Sequence, residues 1–221
     1  MLRTSRGLRE NLHKLAGVLE ETLDLSGMIE LARSAPDLTG QPPEYHVCQG
    51  SPVIAVARDE AFCFLYEDNL DLLERMGAKL KFFSPLRDQE LPADADGLLL
   101  YGGYPELYAK QLSENESMRK EIRKALKKGL PCMAECGGFM YLHPAMEDME
   151  GVSWPMAGVI DGKAFRTEHL VRFGYVLLEE TQEKEYGVIP AHEFHYFDST
   201  ANGTDFLARK ASGKRSWECM H

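Results

Sequence analysis

The sequence predicts an α/β fold, with a mostly parallel central sheet, helices on both of its faces and an antiparallel extension near the C-terminus. Three observations carry this expectation. Short unbroken apolar runs recur at residues 52–57 (PVIAVA), 97–101 (GLLLY) and 130–134 (LPCMA), the signature of strands buried on both faces. Segments with helical apolar spacing separate them, giving the strand–helix rhythm of a parallel sheet. After Gly151 the apolar runs become short and sit among turns and charges, as antiparallel strands do.

The elements follow in order. Residues 2–31 carry Leu8, Leu12, Leu15, Val18, Leu19 and Leu23 at helical spacing, with a break at 24–27. Ser26 is placed to cap a second short helix over 28–33. Residues 35–44 (APDLTGQPPE) read as a linker, and a boundary falls near Tyr45. Beyond it come a strand at 52–57, a helix over 66–76 stopped by Gly77, and a strand at 79–83. A strand at 97–101 ends in Gly102-Gly103, and a charged helix over 113–128 is ended by Gly129. The strand at 130–134 runs into Glu135-Cys136-Gly137-Gly138, where a helix starts. Runs at 157–160, 175–179 and 192–196 supply the later strands.

Composition narrows the function. The chain has 221 residues, 44% of them hydrophobic, which is too apolar for a disordered polymer. No apolar stretch approaches the roughly 18 residues a membrane span needs, and charges interrupt residues 1–17 where a secretory signal would be apolar. A net charge of −10 gives no electrostatic reason to seek nucleic acid or anionic lipid. The five cysteines (Cys48, Cys63, Cys132, Cys136 and Cys219) are odd in number and irregularly spaced, so reduced thiols in the cytoplasm are expected. Cys132 and Cys136 lack a second thiol pair, and no metal site is expected.

Three segments carry chemistry. Ala134-Glu135-Cys136-Gly137-Gly138 follows an apolar strand, with small residues at both positions flanking a nucleophile elbow. A helix start behind Cys136 would favour the thiolate and offer the Gly137 N–H to a developing oxyanion. Taken alone, the segment favours a nucleophile somewhat over a buried core cysteine beside a glycine-rich turn. Tyr101-Gly102-Gly103-Tyr104-Pro105-Glu106 closes another strand, at the sheet edge where ligands of open α/β sheets bind. In His192-Glu193-Phe194-His195-Tyr196, alternation puts His192, Phe194 and Tyr196 on one face and Glu193 and His195 on the other. A thiol nucleophile needs a base, and His195 is a candidate. The segment does not meet the zinc-protease spacing H-E-x-x-H, and simple local hydrogen bonding of these histidines is the plainer alternative.

Together these segments resemble the class I glutamine amidotransferases of the cobyrinic acid a,c-diamide synthase family, in their C-terminal glutaminase domain. The resemblance runs from about residue 52 to 199 and includes Asp59-Glu60-Ala61-Phe62, Tyr66, Asn69-Leu70, Phe83-Ser84-Pro85-Leu86, Gly102 to Glu106, Ala134 to Leu142, Phe173-Gly174-Tyr175 and His192 to Tyr196. It implies a flavodoxin-like fold and a site in which Cys136 attacks the side-chain amide of glutamine. His195 would be the general base, and Gly102, Gly103 and Gly137 would form the oxyanion and substrate-binding loop. Many relatives have a Glu two residues after the His; here that position is Phe197, so a Cys–His dyad is expected, with Asp198 as a weak substitute and His192 as runner-up for the base.

Two departures stand out. Tyr101 replaces the first of three glycines in the family's strand-end motif. The chain also has no phosphate-binding G-x-x-x-x-G-K-[ST] loop. Residues 1–45 then read as the tail of a missing N-terminal synthetase domain plus linker, and 46–221 as the amidotransferase domain. ATP and Mg would belong to the synthetase part, with no cofactor here. The implied partners are glutamine and an ATP-dependent synthetase, with a homodimer left open. The acceptor would be cobyrinic acid or, alternatively, nickel-sirohydrochlorin. A non-catalytic binding module of the same fold is the competing reading.

Overall fold

The structure, a computed structural model, describes residues 5–37, 40, 44–182 and 186–220. The chain divides into two compact units, Met1–Glu44 and Tyr45–His221.

In the first unit, α1 (Ser5–Thr22) and α2 (Leu25–Arg33) match the two helical segments. The cap differs from expectation. Asp24, not Ser26, is the N-cap of α2, and its Oδ1 accepts the Gly27 N–H at 2.9 Å. Ser26 falls inside the first turn of α2, so the shorter reach from Asp24 wins. Leu8, Leu12 and Leu15 are each more than half exposed. The linker reading of 35–44 lies partly outside the described residues.

The second unit is built around a parallel sheet. Its strands are β1 (Val53–Ala57), β2 (Lys79–Phe83), β3 (Gly97–Leu100) and β4 (Cys132–Ala134), in the order β2-β1-β3-β4. All three pairings are parallel. Both faces are covered. Ala55, Ala57, Leu98 and Leu100 pack with Leu112, Met118 and Ile122, which lie on α4 (Ala109–Glu114) and α5 (Glu116–Lys127). Val56 and Leu99 pack on the opposite face with Leu70 of α3 (Glu67–Arg75). Unbroken apolar runs in the strands are what two covered faces require. The helix expected over 113–128 is interrupted at Asn115. That buried side chain caps α5 by accepting the Met118 N–H, and it donates to the carbonyls of Pro85 (2.9 Å) and Asp88 (2.8 Å).

The turns at the carboxyl ends of β1 and β2 are joined by the buried Asp59. Its Oδ1 accepts the N–H groups of Ala61 (2.9 Å) and Phe62 (3.1 Å). Its Oδ2 accepts the Ser84 hydroxyl (2.8 Å) and the Leu86 N–H (3.0 Å). A buried carboxylate is tolerated when its lone pairs are filled in this way.

After β4 comes the short α6 (Gly137–Tyr141), then the strands of two further sheets. One, in the order β10-β7-β5-β6, comprises β5 (Ala145–Glu147), β6 (Ser153–Pro155), β7 (Lys163–Arg166) and β10 (Phe197–Ser199). The other, in the order β12-β11-β8-β9, is wholly antiparallel and comprises β8 (Arg172–Glu180), β9 (Val188–His195), β11 (Phe206–Lys210) and β12 (Ser216–Cys219). Of the three expected later runs, 175–179 and most of 192–196 are present, in β8 and β9 of an antiparallel sheet of their own. Residues 157–160, the third, form no strand. The N–H groups of Ala157, Gly158 and Val159 go instead to the carbonyls of Tyr141, His143 and Leu142, just past α6. No helix is long and apolar enough to cross a membrane among the described residues.

Leu112 is fully buried between α4 and the sheet. L112A should cost about 2–5 kcal/mol of unfolding free energy, read from chemical denaturation, because it leaves a cavity in a close-packed face.

Candidate active site

Cys136 stands between β4 and α6, at the carboxyl end of the parallel sheet. Its backbone has φ 49° and ψ −109°. A non-glycine residue held there costs on the order of 1–3 kcal/mol, and surrounding structure must enforce it. Two hydrogen bonds fix the turn: the Glu135 N–H donates to the Leu100 carbonyl (2.9 Å) and the Gly138 N–H to the Glu135 carbonyl (2.8 Å). A Cβ at position 138 would lie 2.0 Å from the Leu100 oxygen, so α6 starts flush against β3 only with glycine there.

The loop after β3 comes to the same place. A Cβ at Gly102 would stand 3.3 Å from the Cys136 Cβ and 3.7 Å from its Sγ. At Gly103 a Cβ would lie 2.1 Å from the Ala61 carbonyl oxygen, which also accepts the Tyr104 N–H at 2.9 Å. One built at Gly137 would stand 3.4 Å from the Gly103 nitrogen. Gly102, Gly103, Gly137 and Cys136 thus form one cluster, with Gly137 at the first position of α6, where N–H groups lack intrahelical partners. Around it are the half-exposed rings of Phe64 and Tyr104, and the Phe64 N–H donates to the Gly102 carbonyl at 3.1 Å.

The electrostatics run against the sequence expectation of a favoured thiolate. Cys136 is exposed as a residue, yet its thiol is pushed up, chiefly by the protein packed around the sulfur. A hydrogen bond from the Gly137 N–H pulls the other way, while the charges of Glu106 and Glu135 push up again. A five-residue helix does not offset burial plus two carboxylates. Burial also raises the carboxyls of Glu106 and Glu135. Glu106 carries no role in the sequence expectation, and neither do the buried Asp59 and His143 outside the turn.

The structure does not join His195 to Cys136. Among the described residues no hydrogen bond, ion pair or ring contact links them. His195 ends β9 on its half-buried face, where Nδ1–H donates to the Phe197 carbonyl at 2.5 Å and Nε2 lies 3.8 Å from Glu193 Oε1. The Glu193 carboxylate raises its pKa most, burial lowers it, and the Phe197 carbonyl raises it again. Asp198 is engaged elsewhere, 3.4 Å from Arg172 and accepting from the Ser199 N–H and Asn202. His192 lies on the exposed face, its ring 6.3 Å from Tyr175, as alternation predicts.

His143 was not singled out by the sequence. It is fully buried, one ring nitrogen 2.9 Å from the Phe139 carbonyl and the other 2.6 Å from the Ser199 hydroxyl, so it ties the end of α6 to β10.

Residues 53–218 match the family described as the CobB/CobQ-like glutamine amidotransferase domain. The chain belongs to this family. This CobB/CobQ-like domain is 41% identical over 222 residues to a cobyrinate a,c-diamide synthase of Caldanaerobacter subterraneus subsp. tengcongensis, covering 97% of the chain and 49% of that relative. It is 41% identical over 207 residues to one from Listeria innocua, covering 90% of the chain and 45% of the relative. The chain therefore spans about half the length of these curated relatives. A solved glutamine amidotransferase shares the fold at a TM-score of 0.52 and 19% identity, covering 76% of this chain and 89% of that one.

Two titrations follow. E106Q and E135Q should each move the pH profile of Cys136 alkylation by iodoacetamide to lower pH, because each removes a negative charge that disfavours the thiolate. E193Q should lower the His195 pKa in an NMR titration. Since the folded-state pKa is raised, the stability Glu193 contributes through His195 is present below the ordinary histidine range, about 6.5, and is lost as pH rises through the folded value.

Proposed function

We propose that residues 45–221 hydrolyse glutamine and deliver the ammonia to an ATP-dependent synthetase. The observation that carries this reading is Cys136 in a strained conformation on a strand-to-helix turn, with the Gly102-Gly103 loop drawn against it. That is the arrangement a nucleophile needs when its target carbonyl must meet two backbone donors at once.

In this mechanism Cys136 Sγ attacks the side-chain amide carbon of glutamine. The oxygen gains negative charge and meets the N–H groups of Gly103 and Gly137. The C–N bond breaks as the nitrogen takes up a proton, ammonia leaves, and a glutamyl thioester remains. Water then attacks the thioester carbon, releasing glutamate and restoring the thiol. Burial and the charges of Glu106 and Glu135 push the Cys136 thiol up, so the mechanism calls for a base to take the thiol proton. His195 is the proposed base. Its Nδ1–H is bound to the Phe197 carbonyl, which leaves Nε2 as the proton-accepting atom of the neutral ring. Nε2 lies 3.8 Å from Glu193 Oε1, and the proposal requires it to come within hydrogen-bond reach of Cys136 Sγ in the reacting complex.

The acceptor is proposed from the names of the curated relatives, cobyrinate a,c-diamide synthases of about twice this length. ATP and magnesium, bound by the synthetase portion, would activate the acceptor carboxylate. Residues 1–44 would connect to that portion.

The test is glutamate release from glutamine, measured with wild type, C136S, H195A and H192A, alone and with the synthetase portion added. C136S should lose activity by roughly 10³-fold or more, and H195A by about 10²-fold or more. Undiminished activity in C136S overturns the reading. Loss in C136S with an unaffected H195A would keep the nucleophile and move the base to another histidine.

A further inference from the structure

Beyond the glutaminase reading, we propose that one end of the third sheet carries a binding cleft for a small multivalent oxyanion, a molecule with two or more closely spaced carboxylate or phosphate groups. The cleft has a volume of about 630 Å³ and is lined by Val171, Arg172, Lys214, Arg215, Ser216 and Trp217. That volume suits a small molecule. None of these residues takes part in the Cys136 turn.

Three features select an anion. The lining holds three cations in a chain whose net charge is −10, so positive charge is gathered here against the trend of the whole molecule. The one carboxylate paired with this lining is Asp198, 3.4 Å from Arg172; Lys214 and Arg215 form no ion pair among the described residues. Of the lining cations, Arg172 packs on the Trp217 ring, its guanidinium 5.7 Å from the centroid, and the ammonium of Lys210, outside the lining, lies 5.5 Å from it. Finally, the Trp217 Nε1–H is buried and has no hydrogen-bond partner among the described residues. A buried donor without a partner is costly, and an oxyanion in the cleft would satisfy it if the Trp217 ring turns toward the ligand. Arg172 and Arg215 supply the planar fork that matches carboxylate or phosphate oxygens. Lys214, Arg215 and Ser216 lie at the turn and start of β12, so the cleft is closed on one side by a hairpin tip.

The chain has two tryptophans, so W154F leaves Trp217 as the sole indole reporter. Inorganic pyrophosphate and, separately, tricarballylate would be titrated against Trp217 emission at ionic strength held constant with potassium chloride. A saturable change with at least one of them is expected, and the arm that gives it distinguishes phosphate from carboxylate ligands. In the K214Q/R215Q double variant the midpoint should move about tenfold or more to higher concentration. These two side chains lie on an exposed turn, and unchanged circular dichroism would show that the fold is kept. Isothermal calorimetry on the unaltered chain makes the same comparison without W154F. The proposal is overturned if neither anion does more than matched acetate, or if the double variant binds as the parent does.

Discussion

Asp59 divides its two carboxylate oxygens between the backbone of residues 61–62 and the Ser84–Leu86 turn. Those turns follow adjacent strands, so one buried side chain holds the carboxyl ends of β1 and β2 together. The consequence reaches further than the two turns. Ala61, held by Asp59, presents the carbonyl that receives the Tyr104 N–H and fills the space beside Gly103. The loop after β3 is thereby pressed toward Cys136. The site is assembled by a relay of main-chain contacts that starts from a carboxylate with no part in the chemistry proposed for Cys136.

The parallel sheet was legible because burial on both faces leaves a plain mark in sequence: PVIAVA, GLLLY and LPCMA have no polar face to show. The clustering of Gly102, Gly103, Gly137 and Cys136 was legible for a related reason, since strand ends of a parallel sheet converge on one edge. Other features were hidden. The break at Asn115 depends on carbonyls of Pro85 and Asp88, about thirty residues away, which no local propensity encodes. Residues 157–160 look like a strand by composition, yet their donors are taken by the segment after α6. The partners of His195 were hidden too, because alternation places a residue on a face without saying what it touches there.

The state of Cys136 shows two opposed effects being weighed. Helix starts and backbone N–H groups favour a thiolate, and the Gly137 donor acts in that sense. Packing around the sulfur and the charges of Glu106 and Glu135 act against it, and they prevail. A cysteine whose thiol is pushed up is less prone to oxidation and stray alkylation than a thiolate. Under the proposed mechanism the sulfur would become nucleophilic only as a base takes its proton.

The close approaches at positions 103 and 138 bear on transplanting this site. Carbonyl oxygens of Ala61 and Leu100 occupy the volumes in which side chains would otherwise stand. The turn around Cys136 is therefore not a portable motif. An engineer who grafted residues 134–138 onto another scaffold would carry the cysteine but leave behind the two main-chain walls against which Gly103 and Gly138 pack. A working graft would need both neighbouring strands, in register and at the same spacing, and its smallest transferable piece is the carboxyl edge of a sheet.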